Sequence, residues 1–423
     1  MPRAESDYDV IVVGSGACGA TVTRELARHN KKVLLLEQGD DSPVKETMSG
    51  IAAVVKEFDV GHELKAITAA TVGGSTSLYF GLCKLPTAAT FAKFGIDLSR
   101  ELEELKQELP IAELPEDFLA PQSIKLRDSA RALGYLMKPN PLLVDQSKCV
   151  RRGYSYEAKW KARSYVADAV SHGAKLTAGA AVGKVIVERG RAVGVEYQRK
   201  KRFGGYKAHQ AYAKKIVLCA GSFATPKLLI DCGIKNVGDR GFFCKPSYMV
   251  CGTVPGLKGT DAFVGSLDCD LGDGVSIGDG AMSEAVFRAV MLANFKWRLL
   301  FSHRSALAIG VLMNDELGGE IKEDGRYDKQ LTPEELAKLR KAGDIAVKIL
   351  ESAGARNIFR TRLVGGNPGG VLRIHEHLDE NLQTQISNLH VCDHSVMADA
   401  NVTPTVPLIC LSKYLARRLL LSL

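Results

Sequence analysis

Residues 14–19 read Gly14-Ser15-Gly16-Ala17-Cys18-Gly19, a G-x-G-x-x-G loop, and Glu37 stands 21 residues beyond Gly16. Those residue types at that spacing suit one task, the holding of a dinucleotide. Gly14 permits a tight turn, Gly16 lets a pyrophosphate approach the backbone, and Gly19 lets the next helix pack on the preceding strand. Ala17 and Cys18 complete the cradle and open that helix, whose N-terminus favours phosphate charge; the Cys18 side chain is expected to pack. Glu37 can accept hydrogen bonds from a ribose. A second small-residue loop, Thr71-Val72-Gly73-Gly74-Ser75-Thr76-Ser77, suits backbone contact with the same ligand.

The loop needs a strand before it, a helix after it and a second strand ending at the acid. Residues 8–13 (YDVIVV) read as a strand, apolar throughout from Val10, as in a parallel strand buried on both faces. A helix to about His29 and a strand over 32–36 follow. Residues 41–70 read as a helix-rich connector. Residues 84–148 read as helical, with a break near 137–143. A helix is expected over 161–172 and strands over 174–200, with a hairpin turn at Arg189-Gly190. Lys215 to Cys219 reads as a buried strand, Thr225 as an N-cap and Pro226 as the first residue of the next helix. A strand pair over 309–329, a helix from about Pro333 to Ala353, a strand over 389–392 and a last helix from Pro404–Pro407 to Leu420 complete the pattern. The fold class is α/β.

The chain has 423 residues, 46% hydrophobic and 25% charged, which suits two or three connected globular domains. No run of eighteen apolar residues occurs, so no membrane-spanning helix is expected. None of the ten cysteines forms a C-x-x-C pair, so no metal site is expected; reduced thiols and the lack of a secretory leader point to the cytoplasm. The net charge of +8 lacks a basic stripe interleaved with aromatics, which argues against nucleic acid. Basic clusters at 199-RKKR-202 and Arg417-Arg418 leave a weak membrane-surface contact open. Trp160, Trp297 and the apolar run 286–295 fit either a core or a substrate face.

Four blocks together resemble the glucose–methanol–choline (GMC) oxidoreductases, in their short branch of alcohol and long-chain-alcohol enzymes. They are 8-YDVIVVGSGACGA-20 with Glu37, 73-GGSTS-77, 216-IVLCAGSFATPKLLIDCGI-234, and 388-NLHVCDHSV-396 followed by 402-VTPT-405. The resemblance implies a Rossmann-like FAD domain built from 1–85, 150–244 and 365–423, with a sheet-and-helix substrate domain from 86–149 and 245–364. It implies FAD, held non-covalently because no His lies in the 73–77 loop. It further implies Val182 near the adenine, Ala220 and Gly221 near the nucleotide, and Gly74 and Ser75 near pyrophosphate and flavin. Asp393, with His394 beside it, is implied at the ribityl–phosphate region, and Thr403-Pro404 at the helix end facing the flavin.

The implied reaction is hydride transfer between an alcohol or carbonyl group of an apolar substrate and flavin N5, by a dehydrogenase in preference to an oxidase, with the electron acceptor left open. That branch places its basic His at the start of an H-P-G-G segment; here the segment is Asn367-Pro368-Gly369-Gly370, and Thr403 stands at the partner position. Asn and Thr are not bases near neutral pH. Three readings follow. Another residue supplies the base, with His375, His377 and His394 as candidates. Alternatively, Asn367 and Thr403 position a carbonyl or alkene that is reduced. In the third, the protein is a diverged flavoprotein that relays electrons to a protein partner.

Overall fold

A computed structural model describes residues 7–86, 89–149, 153–200, 204–401 and 403–423. Lys201 and Arg202 of the basic cluster, Val402 of the 402–405 block and residue 150 at an expected boundary lie outside them. Two sheets organise the chain.

The first sheet has seven strands. Tyr8–Val13 lies between Val33–Leu36 and Tyr206–Leu218, parallel to both. Lys175–Thr177 extends one side and Leu389–Val391 pairs with 216–218 on the other, again in parallel. Val10, Ile11, Val12, Leu34, Leu35 and Leu36 are buried, as the unbroken apolar runs require of strands covered on both faces. Tyr206–Leu218 does double duty. Its second half continues the parallel core, while its first half pairs antiparallel with Arg191–Lys200, which in turn pairs with Ala180–Glu188 around the Arg189-Gly190 turn. Both turn residues have positive φ, +49° and +75°, as a two-residue hairpin of this hand demands.

The helix Ala17–Arg28 packs against the closing helix Thr405–Leu420, which is buried almost all round. Charged groups at their edges are paired. Arg24 binds Asp168 and Glu108 and stacks on Tyr165, Lys413 meets Glu104 and Glu108 at 3.0 and 3.1 Å, and Arg417 binds Glu101 at 2.7 Å. The basic end of the chain is thereby docked.

The second sheet is antiparallel, in the order Arg356–Arg360, Ser247–Thr253, Ala306–Met313, Val275–Asp279, Leu267–Gly272, Lys138–Pro139. The helix Pro333–Ser352 covers it and starts at a capping box between Thr332 and Glu335.

Three expectations need correction. Residues 55–69 form a hairpin, Val55–Gly61 with Leu64–Ala69, because Leu64, Ala66 and Ala69 turn inward while Lys65 and Ile67 turn out. Only part of 84–148 is helical (Ala89–Ala92, Ser99–Glu108, Pro121–Ala132); the break near 137–143 carries strands. The helix after 218 runs Gly221–Asp231 with Ala220 as N-cap, so Pro226 lies inside it. Pro226 has no N–H to give the Ser222 carbonyl, and that carbonyl accepts from the Tyr327 hydroxyl instead.

Candidate functional site

The three glycines of the first loop are required for different reasons. A Cβ on Gly14, whose φ is +98°, would lie 2.3 Å from the Cys219 carbonyl oxygen. One on Gly19 would lie 1.8 Å from the Gly14 carbonyl oxygen. One on Gly16 would meet nothing within 4 Å. Packing within the protein accounts for Gly14 and Gly19, whereas Gly16 borders open space at the helix N-terminus. That terminus has no side-chain cap and no acid in its first turn, so its N–H groups are left for a ligand. Ala17 is the first helical residue, and Cys18 is buried.

Glu37 ties this loop to its neighbours. Its Oε2 accepts from the Ser15 N–H and hydroxyl at 3.0 and 2.7 Å, and its Oε1 from the Gly39 N–H at 2.7 Å. The Ser15 hydroxyl in turn accepts from the Gly73 N–H at 3.1 Å. Oε1 keeps a lone pair for a further donor. Gly74 rests on the first loop, since a Cβ there would lie 2.9 Å from the Gly16 Cα. The Ser75 hydroxyl turns back to the Ala69 N–H at 3.4 Å. Val182 is half-buried on the strand that follows Ala180, whose N–H donates to the Glu37 carbonyl at 2.7 Å.

Asp393 clamps the far side of the first loop. It is buried, and both its oxygens are engaged. Oδ2 accepts from the Gly221 N–H at 2.9 Å and the Thr225 hydroxyl at 2.5 Å; Oδ1 accepts from the Ser395 N–H and hydroxyl at 3.0 and 2.6 Å. Ala220 donates its N–H to the Thr225 hydroxyl oxygen at 3.2 Å, and Ala220 Cα abuts Gly14. A Cβ on Gly221 would meet nothing within 4 Å, a second open position beside the loop.

Asn367 enters from another direction. Residues 242–247 run antiparallel to 364–369: Phe243 and Gly369 exchange hydrogen bonds at 3.0 and 2.9 Å, and Ser247 and Val364 do so at 2.8 Å. One extra residue is accommodated on the 364–369 side, a bulge at which Lys245 lies beside Gly366, where an added Cβ would stand 3.8 Å from the Lys245 Cβ. Asn367 Oδ1 is buried without a hydrogen-bond partner among the described residues. The neighbouring Pro368 carbonyl accepts from His394 Nδ1 at 3.0 Å, and the His394 ring packs edge-on to Phe243 at 6.1 Å. Desolvation, with the nearby Lys245 charge, pushes the His394 pKa down to about 4, so the ring is neutral near pH 7.

Lys245 has φ +48°, a left-handed conformation held by its own N–H donating to Asp315 Oδ1 at 2.7 Å. Desolvation, with Lys84 close by, lowers its pKa to about 8, against the opposing pull of Asp315 and Asp399. Asp315 also takes the Cys244 N–H at 2.9 Å and pairs at 2.6 Å with Lys329, itself buried and bonded to the Phe242 and Glu316 carbonyls. Lys329→Met would leave Asp315 buried and unpaired, at a cost of about 3–5 kcal/mol. Urea unfolding should show that loss; an unchanged midpoint would contradict the role given to the pair.

Among the described residues no hydrogen bond brings His375 or His377 to Asn367. His375 is exposed and rests against Phe94. His377 is buried with both nitrogens engaged, Nδ1 by the Arg373 N–H at 3.1 Å and Nε2 by the Asn236 carbonyl at 3.0 Å. Thr403 is half-buried, and Pro404 caps the closing helix, whose first turn has neither an acid nor a side-chain cap. Lys245 and the Ser15 hydroxyl were not singled out in the sequence, and Thr225 was singled out only as a helix N-cap. Thr225 and Ser15 lie inside recognisable motifs, but Lys245 stands in an unpatterned stretch and becomes visible only through the 364–369 pairing.

Two uncapped helix N-termini, the open flanks of Gly16 and Gly221, and the spare acceptor of Glu37 fit a dinucleotide such as FAD. The family profile described as GMC oxidoreductase matches residues 8–242. An uncharacterized GMC-type oxidoreductase of Mycobacterium tuberculosis is 27% identical over 406 residues, covering 85% of this chain and 62% of the relative. The long-chain-alcohol oxidase of Arabidopsis thaliana is 23% identical, over 84% of this chain and 54% of its own. This chain thus spans little more than half to three-fifths of those relatives' lengths. The crystal structure of pyridoxine 4-oxidase from Mesorbium loti superposes with a TM-score of 0.70 at 16% identity, over 97% of this chain and 99% of that one, and so shares its fold. With its profile match across more than half the sequence and its Rossmann-like sheet and glycine loop, the chain belongs to the flavin-dependent GMC oxidoreductase family.

Proposed function

We propose that this protein is an oxidoreductase with non-covalent FAD that acts on the CH–OH group of an apolar substrate. The observation that carries the reading is Asn367 Oδ1, a buried acceptor without a partner among the described residues, standing where the family's H-P-G-G segment begins. Such an atom is costly unless something donates to it, and a substrate hydroxyl would. FAD, when bound, supplies the two-electron acceptor for a hydride. The long-chain-alcohol oxidase and the pyridoxine oxidase among the relatives agree with an alcohol substrate.

The proton needs a second group, because Asn367 cannot take it. We assign that role to Lys245, whose place beside Gly366 and near His394, and whose lowered pKa of about 8, suit a group that changes protonation near working pH. His394 helps to orient the Asn367 segment through the Pro368 carbonyl. Oxidation needs the neutral amine. Its rate should therefore rise about tenfold per pH unit below pH 8 and level off above it, with burial, Lys84, Asp315 and Asp399 setting that midpoint and His394 neutral throughout. Lys245→Met should abolish the slope, and Lys245→Arg should keep the charge but lose oxidation. A wild-type profile in Lys245→Met would reject the assignment.

The same lysine is protonated at neutral pH, and this favours the reverse reading, in which a carbonyl is reduced and Lys245 donates the proton. Measuring both directions across pH 6–10 separates the two. We read the enzyme as a dehydrogenase; steady oxygen consumption upon addition of an alcohol would reassign it as an oxidase.

A further inference from the structure

Residues 295–301 raise three large aromatic side chains from the surface: Phe295 is 64% exposed, Trp297 59% and Phe301 83%. A single exposed ring is ordinary, but three within seven residues form a patch. The patch follows the helix Glu284–Ala293 and includes the short 3-10 turn Trp297–Leu299. Its base is firmly held. Phe287 and Met291 are buried with Cys251, Met282 and Ala308, and Asn294 Oδ1 accepts from the Arg362 N–H at 2.8 Å.

Cations surround the rings. Between residues 284 and 304 the sequence has four, Arg288, Lys296, Arg298 and Arg304, against one carboxylate, Glu284. Arg362 lies over the Phe295 ring at 4.9 Å, Arg288 over Phe301 at 5.4 Å, and Lys296 over Phe359 at 4.6 Å. Aromatic rings enter the headgroup layer of a bilayer, while flanking cations meet lipid phosphates. A second copy of the chain would bring these cations against one another. An acidic protein surface would match the cations but offer no apolar phase for three protruding rings.

We propose that the 295–301 patch docks this protein onto the surface of an anionic phospholipid bilayer. The patch is joined to the candidate active site through Arg362, five residues before Asn367, a chain length of at most about 18 Å. Docking therefore brings the site close to apolar molecules dissolved in the membrane. That last step rests on the proposed function; the docking itself does not.

The test uses the full flavin-loaded protein and vesicles of phosphatidylcholine, alone or mixed with phosphatidylglycerol. The protein should sediment with the mixed vesicles and lose that binding in high salt. Of the two tryptophans Trp160 is buried, so a blue shift of emission on vesicle addition would report Trp297 entering the interface. The triple variant Phe295→Ser, Trp297→Ser, Phe301→Ser should reduce vesicle partition at least about tenfold while keeping its flavin spectrum. Lys296→Gln with Arg298→Gln should remove the preference for the anionic mixture. Absence of co-sedimentation, or binding that the triple variant leaves intact, would overturn the proposal. So would a wild-type dimer in sedimentation velocity that ignores vesicles and becomes monomeric in the triple variant, because the patch would then be a self-association surface.

Discussion

Gly16→Asp should yield a folded protein that carries no flavin. The fold has no objection to a side chain there, since a Cβ would meet nothing within 4 Å and the backbone, φ −64° and ψ −172°, is open to any residue. The cofactor site does object, because a carboxylate would stand where the helix N-terminus is left for phosphate charge. An unpaired like charge there should weaken FAD binding by about 3–5 kcal/mol, more than 100-fold. The check is paired: the flavin absorbance of the purified variant, and its urea midpoint against wild-type protein stripped of flavin. Gly19→Ala is the contrast, because its Cβ would lie 1.8 Å from the Gly14 carbonyl oxygen. That variant should fail to fold. Normal flavin content in Gly16→Asp would mean that the loop does not hold phosphate.

Asp393→Ala should cost about 3–5 kcal/mol and loosen the whole cofactor face. Four donors, the N–H groups of Gly221 and Ser395 and the hydroxyls of Thr225 and Ser395, converge on this buried carboxylate. Removing it orphans donors at the start of the Gly221–Asp231 helix and at the end of the Leu389–Val391 strand together. Asp393→Asn conserves the shape but presents an amide N–H₂ to one of the two donor pairs, so it should still cost about 1–3 kcal/mol. Thr225→Ala removes one donor and should cost less than either. Urea unfolding orders the three variants. Wild-type stability in Asp393→Asn would show that the clamp does not depend on acceptor geometry.

Most of the first sheet was legible because its rules are local. Apolar runs at 10–13 and 33–36 mark the Tyr8–Val13 and Val33–Leu36 strands, a shorter stretch interrupted by His390 marks Leu389–Val391, and the spacing of Gly14, Gly16, Gly19 and Glu37 leaves little choice of turn. The capping box at Thr332 marks the Pro333–Ser352 helix equally well. The hairpin over 55–69 was missed because its residues, such as Lys56, Glu57 and Lys65, are charged and its inward positions few. Thr225-Pro226 looked like a helix start, and only the Asp393 carboxylate and the Tyr327 hydroxyl explain why the helix begins earlier. The second sheet draws its strands from across 138–360, so its pairing is tertiary information. Lys245 belongs to that class: nothing around it in sequence announces the pairing that sets it beside Gly366.

The central claim is oxidoreduction at a CH–OH group by a flavin site that uses Asn367 and Lys245 in place of the family's histidine. Anaerobic mixing of the purified yellow protein with a panel of short and long primary alcohols tests it most directly. The flavin band should bleach, faster with the longer alcohols and faster above pH 8 than at pH 7, while Asn367→His should bleach well at pH 7 because a base is restored. A band that stays oxidised with every alcohol, at every pH and in both proteins, would contradict the account and turn attention to a flavoprotein reduced only by another protein.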